Sequence, residues 1–347
     1  MSLKFGFGGA HVSHSVRNYD DVVFVIKYGE FLGYDFVQIT DRVRDPYITA
    51  TVAAKETTKM NIWIGVVNPF TRHPVVAANS LSLLDEIAPG RVGAILGTGN
   101  MTEMLPQLGY DYKGASERVR EAIQIVRQCF GNLDLEFKGK HFNIKGEHLA
   151  FPAKHQVPIY VAANGPKMLE VGGELADGVI TQYANKELMS KALEHIKIGA
   201  ERAGRSLSEI DITWEGALVV KREGEELPET LLPHSTNCLL FCPPAWIESV
   251  GISKEEYARI KQNYVMGSHI SMKAERDYIE KLKKDPIAQK SVDFFTIAGS
   301  PNECKRSISE LERMGIKRIF FWVASNNSVG KLKILDDIAE HLIPAFR

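Results

Sequence analysis

"IWIGVVNPFTRHPVVAANSLSLLDEIAPGRVGAILG", residues 62–97, holds the pattern from which the fold follows. The segment "IWIGVV" (62–67) is a near-continuous apolar run of strand length. It stops at Asn68-Pro69, and a helical pattern, "HPVVAANSLSLLDEIA", then runs to a stop before Pro89-Gly90. A second apolar run, "RVGAILG" (91–97), follows. Strand, helix and strand, with both strands apolar on each face, form a βαβ unit of a parallel sheet covered by helices.

The same alternation extends in both directions. Before this unit lie "LKFGFG" (3–8) and "DFVQIT" (35–40), with a helix from about Asn18 to Leu32 between them. After it lie "PIYVAAN" (158–164), "GVITQY" (178–183), "DITWEGALVV" (211–220) and "RIFFWVA" (318–324). Further helices are expected at "ASERVREAIQIVRQCF", with Ser116 as N-cap and Gly131 as stop, and near 166–176, 186–203, 303–314 and 328–342. Eight strands, each with a helix, predict an α/β protein: a (β/α)8 TIM barrel with insertions after strands 4 and 7, read as a single domain over 1–347. A doubly wound open sheet is the alternative. The first strand–helix junction, "GFGGAHVSHS", lacks the G-x-G-x-x-G spacing that a dinucleotide-binding sheet uses. Residues 132–157 read as a hairpin excursion, and 222–292 as a lid or substrate-pocket wall on the catalytic face.

Composition narrows the function. The 347 residues carry 42 Lys+Arg against 43 Asp+Glu, which leaves no electrostatic footprint for nucleic acid or an anionic membrane. No apolar run approaches a membrane span, and no basic segment precedes an apolar core at the N-terminus. Four scattered cysteines, with one unmatched C-x3-C pair, predict reduced thiols, no structural zinc and a cytosolic protein. In a barrel, sites lie at the C-terminal ends of the strands. Those ends hold glycines, amides, threonines and tryptophans with few charges, which suits a flat heteroaromatic cofactor approached closely by backbone. "ANGPKMLE" adds a helix opening at Pro166, whose free N–H groups suit an anion.

Three blocks carry a family resemblance: residues 64–100, 137–180 ("FKGKHFNIKGEHLAFPAKHQVPIYVAANGPKMLEVGGELADGVI") and 297–322 ("IAGSPNECKRSISELERMGIKRIFFW"). They resemble the bacterial luciferase-like superfamily, and within it the deazaflavin-dependent branch that includes methylenetetrahydromethanopterin reductases. The resemblance implies a barrel binding coenzyme F420 or FMN, and a homodimer. By position it implies a non-proline cis peptide at Gly65-Val66 behind the ring, with Asn68 at the ring's polar edge. It places Gly97, Thr98, Gly99 and Asn100 beside the ring, Asn164, Gly165 and Pro166 at the phosphate end, and Asp41 flanking the cofactor. Arg42 stands where several deazaflavin enzymes have His, and Asn100 where some have Glu.

Two chemistries follow from the resemblance. One is hydride transfer between coenzyme F420 and a small organic substrate. The other is monooxygenation with reduced FMN and oxygen. A third reading, a cofactor-free binding or structural barrel, sits poorly with the amides and small residues at the strand ends. Candidate catalytic residues are Asp41, Glu103 and Glu215. Each has a plainer alternative: Asp41 as cap of the helix after strand 2, Glu103 as a solvated first-turn residue, Glu215 as a charge satisfied by a neighbouring strand. Arg72 reads as a surface ion-pair partner or substrate ligand, His73 as helix start or proton shuttle. His11 and His14 read as pocket lining, and Trp322 as packing or a stacking surface. The helices "YITATVAAKETT" and "VVAANSLSLL" are candidates for a dimer interface.

Overall fold

The computed structural model describes residues 2–8, 19–40, 45–99, 108–131, 134–147, 149–263, 272–323 and 328–347, without the side chains of 147, 272–275 and 328. Its parallel strands are β1 (Lys4–Gly8), β2 (Phe36–Ile39), β3 (Asn61–Val67), β4 (Val92–Leu96), β7 (Ile159–Ala162), β8 (Gly178–Thr181), β9 (Asp211–Val220) and β11 (Ile316–Trp322). They pair in the order β9, β11, β1, β2, β3, β4, β7, β8, and β8 pairs back onto β9. The sheet is therefore a closed eight-stranded parallel barrel, and the open doubly wound alternative is excluded. The eight apolar runs of the sequence are these eight strands. A further strand, β10 (Thr296–Gly299), adds in parallel to the upper half of β9 outside the ring. The antiparallel pair β5 (Leu135–Lys138) and β6 (Asn143–Glu147) forms a separate hairpin.

Around the barrel run α1 (Tyr19–Phe31), α2 (Pro46–Glu56), α3 (Pro74–Ile87), α4 (Ala115–Phe130), α5 (Pro166–Leu175), α6 (Lys186–Arg202), α12 (Pro301–Arg313) and α13 (Ser328–His341). Between β9 and β10 lie α7 (Leu231–Phe241), α8 (Pro244–Ser249), α9 (Lys254–Asn263), α10 (Met272–Leu282) and α11 (Pro286–Phe295). Among the described residues no helix is long and apolar enough to cross a membrane.

Helix starts obey local chemistry. Asp45 caps α2, its Oδ1 accepting the backbone N–H groups of Tyr47 and Ile48 at 2.9 Å each. Capping of this helix, one alternative weighed for Asp41, thus belongs to Asp45. His73 caps α3, its Nδ1 accepting Val75 N–H at 3.3 Å. Arg72 finds Ser80 Oγ at 2.9 Å and lies over the Tyr47 ring at 3.9 Å, so it ties α3 to α2, and among the described residues it pairs with no carboxylate. The expected Ser116 cap of α4 is corrected. Gly114, at φ 72°, is the N-cap, and Ser116 sits inside the first turn. Only a residue without Cβ reaches that left-handed conformation without strain, and it starts the helix two residues earlier.

Large and small residues alternate inside the barrel. Phe36, Trp63, Ile95, Tyr160, Ile180 and Phe320 form one buried cluster across it. The aromatic rings need room, and glycines directly opposite provide it: Gly6 faces Phe36, Gly93 faces Trp63 and Gly178 faces Tyr160. A Cβ at these glycines would lie 2.2–2.8 Å from the facing ring. Phe36 and Trp63 stack at 4.8 Å, and Trp63 and Tyr160 meet tilted at 4.4 Å. The lower barrel is thereby filled, and any ligand space must lie above it, at the strands' C-terminal ends.

Candidate active site

Above the aromatic layer opens a cavity of about 920 Å³. Strand pleating decides what faces it. Phe36 points inward, so Gln38 on the same face of β2 does too, whereas Val37 and Ile39 turn out toward the helices, and Thr40, just past the strand's end, also lines the cavity. On β3 the Gly65-Val66 peptide is cis, and the register with β4 shifts between Gly65 and Val67. The shift places Val66 on the cavity wall. Gly97 lies behind it, where a Cβ would come within 3.0 Å of Val66 Cγ1.

Asn68 is only 1% exposed, and its amide ties two strand ends together. Nδ2 donates to Thr98 O at 3.0 Å, and Oδ1 accepts Phe70 N–H at 2.9 Å. Across the mouth Asn164 is held in the same way. Its Nδ2 donates to Gln182 Oε1 at 2.8 Å, and its backbone carbonyl accepts the Tyr183 hydroxyl at 2.5 Å. Gly165 is the N-cap of α5, with open space beside it and Pro166 at the first helical position. The N-terminal turn of α4 (Ala115, Ser116, Glu117) borders the cavity as well, so two helix N-termini converge on it. Lys140, Lys167 and Lys261 stand at its exposed rim, Lys140 paired with Glu117 at 2.7 Å. Asn237, Leu240 and Phe241 of α7 and Lys261 of α9 supply one wall.

Glu215, on β9, is a second acid of the cavity lining, in addition to Glu117 of α4. Burial pushes its carboxyl up to about 7, although the indole N–H of Trp322 pulls the other way by donating to Oε1 at 2.7 Å. The residue therefore answers to both sequence readings: it lines the pocket, and a neighbouring strand satisfies it. Trp322 in turn meets the His234 ring edge-on at 4.4 Å. Cys238, 3.8 Å from His234 Nε2, remains a thiol, since burial raises its pKa well above the usual value and the Glu215 charge acts in the same direction.

The sequence matches the luciferase-like monooxygenase family over residues 1–318. The chain belongs to that family. Among its curated relatives is the 5,10-methylenetetrahydromethanopterin reductase of Methanolobus tindarius, 30% identical over 295 residues that cover 84% of this chain and 87% of the relative. Another is the F420-dependent glucose-6-phosphate dehydrogenase of Amycolatopsis mediterranei, 24% identical with 99% of both chains covered. Among solved structures, the coenzyme F420 dependent tetrahydromethanopterin reductase from Methanopyrus kandleri superposes with a TM-score of 0.84 over the whole of both chains at 23% identity, a likeness of fold.

Of the residues assigned within the luciferase-like pattern from sequence, Gly65, Val66, Asn68, Thr98, Gly99, Asn164, Gly165 and Pro166 line one cavity, with Gly97 directly behind Val66, and Glu215, a candidate from its strand end, lines it too. Asp41, Asn100 and Glu103 lie outside the described residues, as do His11, His14 and Arg42. Sequence reasoning missed Gln38 and Ser116 as lining residues, while those of α7, not named singly, fall in the 222–292 segment expected to wall the pocket. Gln38 was legible in principle, as the polar member of an inward-facing alternation Phe36, Gln38, Thr40.

Proposed function

We propose that the chain is an oxidoreductase that passes a hydride between coenzyme F420 and a small organic substrate, working in the cytosol with its four buried thiols reduced. One observation carries this reading: a single cavity is lined both by the Gly65-Val66 backbone and by a cationic rim. The wall formed by Gly65 and Val66 suits a planar ring, because small residues there let a ring approach the backbone, and the Asn68 amide is fixed nearby. The rim suits an extended anionic tail, since two helix N-termini and three lysines border it. A single phosphate needs only one of those helix ends.

The deazaflavin supplies, when bound, a two-electron hydride carrier. The protein's part is position and protons. Val66 and Gly65 form part of the cavity wall, and α7 supplies another part of it. Glu215, titrating near neutrality, takes the proton that leaves a substrate hydroxyl as hydride departs from its carbon, or returns one in the reverse direction. Trp322 holds the carboxylate by one oxygen and leaves the other for substrate. A homodimer through α2 and α3, whose surfaces expose Ile48, Val76 and Leu83, belongs to the same reading.

Equilibrium titration followed by fluorescence tests the cofactor. Coenzyme F420 is expected to bind tightly and FMN weakly. The reverse order would replace the reading with flavin-dependent monooxygenation, and binding of neither would remove both.

A further inference from the structure

Two side-chain atoms in the cavity are sealed from solvent and have no partner among the described residues: Gln38 Oε1 and Thr40 Oγ1. Gln38 is 5% exposed, and its orientation is fixed by chemistry. Its other amide atom lies 3.2 Å from the backbone carbonyl of Gly65. A carbonyl only accepts, so the nitrogen faces Gly65 and the oxygen is turned away from it. A buried acceptor without a donor costs about 1–3 kcal/mol, so this oxygen is built to meet a ligand N–H or O–H. Two residues on, just past the end of β2, Thr40 lines the same cavity and offers a hydroxyl that can donate.

An acceptor and a donor lining the same cavity can together complement a lactam edge, an N–H next to a C=O. The geometry points to Gln38 and Thr40 as the pair that reads the imide edge of the cofactor's pyrimidinedione ring: Gln38 Oε1 accepts the imide N–H while Thr40 Oγ donates to an adjoining carbonyl. This rests on the proposed function only in so far as the ligand carries that ring, which flavins and deazaflavins share. It also gives the Gln38–Gly65 bond a purpose. The residue that recognises the ring edge is anchored to the peptide that walls its face, so position of the two is set together. Gln38 is thereby a specificity residue for the cofactor and not for the substrate.

The test pairs protein and ligand changes and reads binding, not turnover. Dissociation constants are measured by fluorescence for coenzyme F420 and for its imide N-methylated derivative, with wild type, Gln38→Leu and Thr40→Val. Wild type is expected to bind the parent roughly 10–100-fold more tightly than the methylated ring. Gln38→Leu should weaken the parent by a similar factor and bring the preference between the two ligands close to one. Thr40→Val should weaken both ligands alike. Equal affinity of wild type for the two ligands overturns the proposal, and that arm needs no variant to fold. Retained discrimination in Gln38→Leu, checked as folded by circular dichroism, also overturns it. Should wild type bind FMN and not the deazaflavin, the same series is run with FMN and its N-methylated form. The cofactor reading then fails while a loss of discrimination in Gln38→Leu still supports this one. Binding of neither ring overturns both.

Discussion

Glu215 shows how one residue's chemistry depends on neighbours distant in the chain. A glutamate in an otherwise apolar strand, "DITWEGALVV", is conspicuous in the sequence, but its working range comes from burial and from Trp322, 107 residues away. Its carboxyl titrates near 7 in the fold and near the ordinary glutamate value when unfolded. Between those values the folded state holds a proton that the unfolded state has lost. This residue's contribution to stability therefore falls as pH rises through that window. Glu215→Gln should remove the effect: the gap in unfolding temperature between variant and wild type widens in the variant's favour from about pH 5 to about pH 8. The same substitution should lower the rate at saturating substrate by about 100-fold or more with little change in cofactor affinity. It should also flatten the pH profile near 7, a profile that rises in the oxidising direction and falls in the reducing one. A variant with wild-type rate and profile would remove Glu215 from the chemistry. What was not legible at this scale was orientation. Asn68 and Asn164 were placed correctly at the strand ends, yet their amides bind other strand ends, a fact set by partners at Thr98 and Gln182.

Elements place the site through close approaches that glycine permits. Helices α5 and α6 interlock at two of them. A Cβ on Gly173 would lie 2.0 Å from Ile196 O, and one on Gly199 would lie 2.0 Å from Glu170 O. Backbone cannot yield as a side chain would, so Gly199→Ala should destabilise the protein by about 2–3 kcal/mol despite alanine's better helix propensity. Denaturant unfolding measures this, and unchanged stability would show that the helices do not need that spacing. Because the N-terminus of α5 borders the cavity, the variant should also bind cofactor less tightly. Element type was legible because apolar period and length separate helix from strand here. Boundaries were less so. Ser116 was the best cap by residue type, but the left-handed conformation of Gly114, beside His141 of the hairpin, starts α4 earlier. That shift turns the first turn of α4 toward the cavity mouth.

At the scale of the whole molecule, closure of the barrel gathers charges that are scattered in sequence. Lys140 comes from the hairpin, Lys167 from α5 and Lys261 from α9, and all three meet at one rim. A ligand with several negative charges should therefore bind in a salt-dependent way. Raising ionic strength from about 0.05 to 0.5 M should weaken deazaflavin binding several-fold and FMN binding less, because exposed charges are screened over about 10 Å at 0.1 M. Lys167→Ala combined with Lys261→Ala should cost about tenfold in deazaflavin affinity and reduce the salt dependence, both read by titration. Salt-independent binding would place the tail elsewhere. The sequence by itself determined the barrel, because eight doubly buried strands separated by helices have few ways to hide both faces, and it located the strand ends where a site must lie. Only the tertiary structure decided which polar atoms there are already spoken for and which, like Gln38 Oε1, are left buried without a partner among the described residues, since hydrogen-bond satisfaction depends on strands that meet only when the sheet closes.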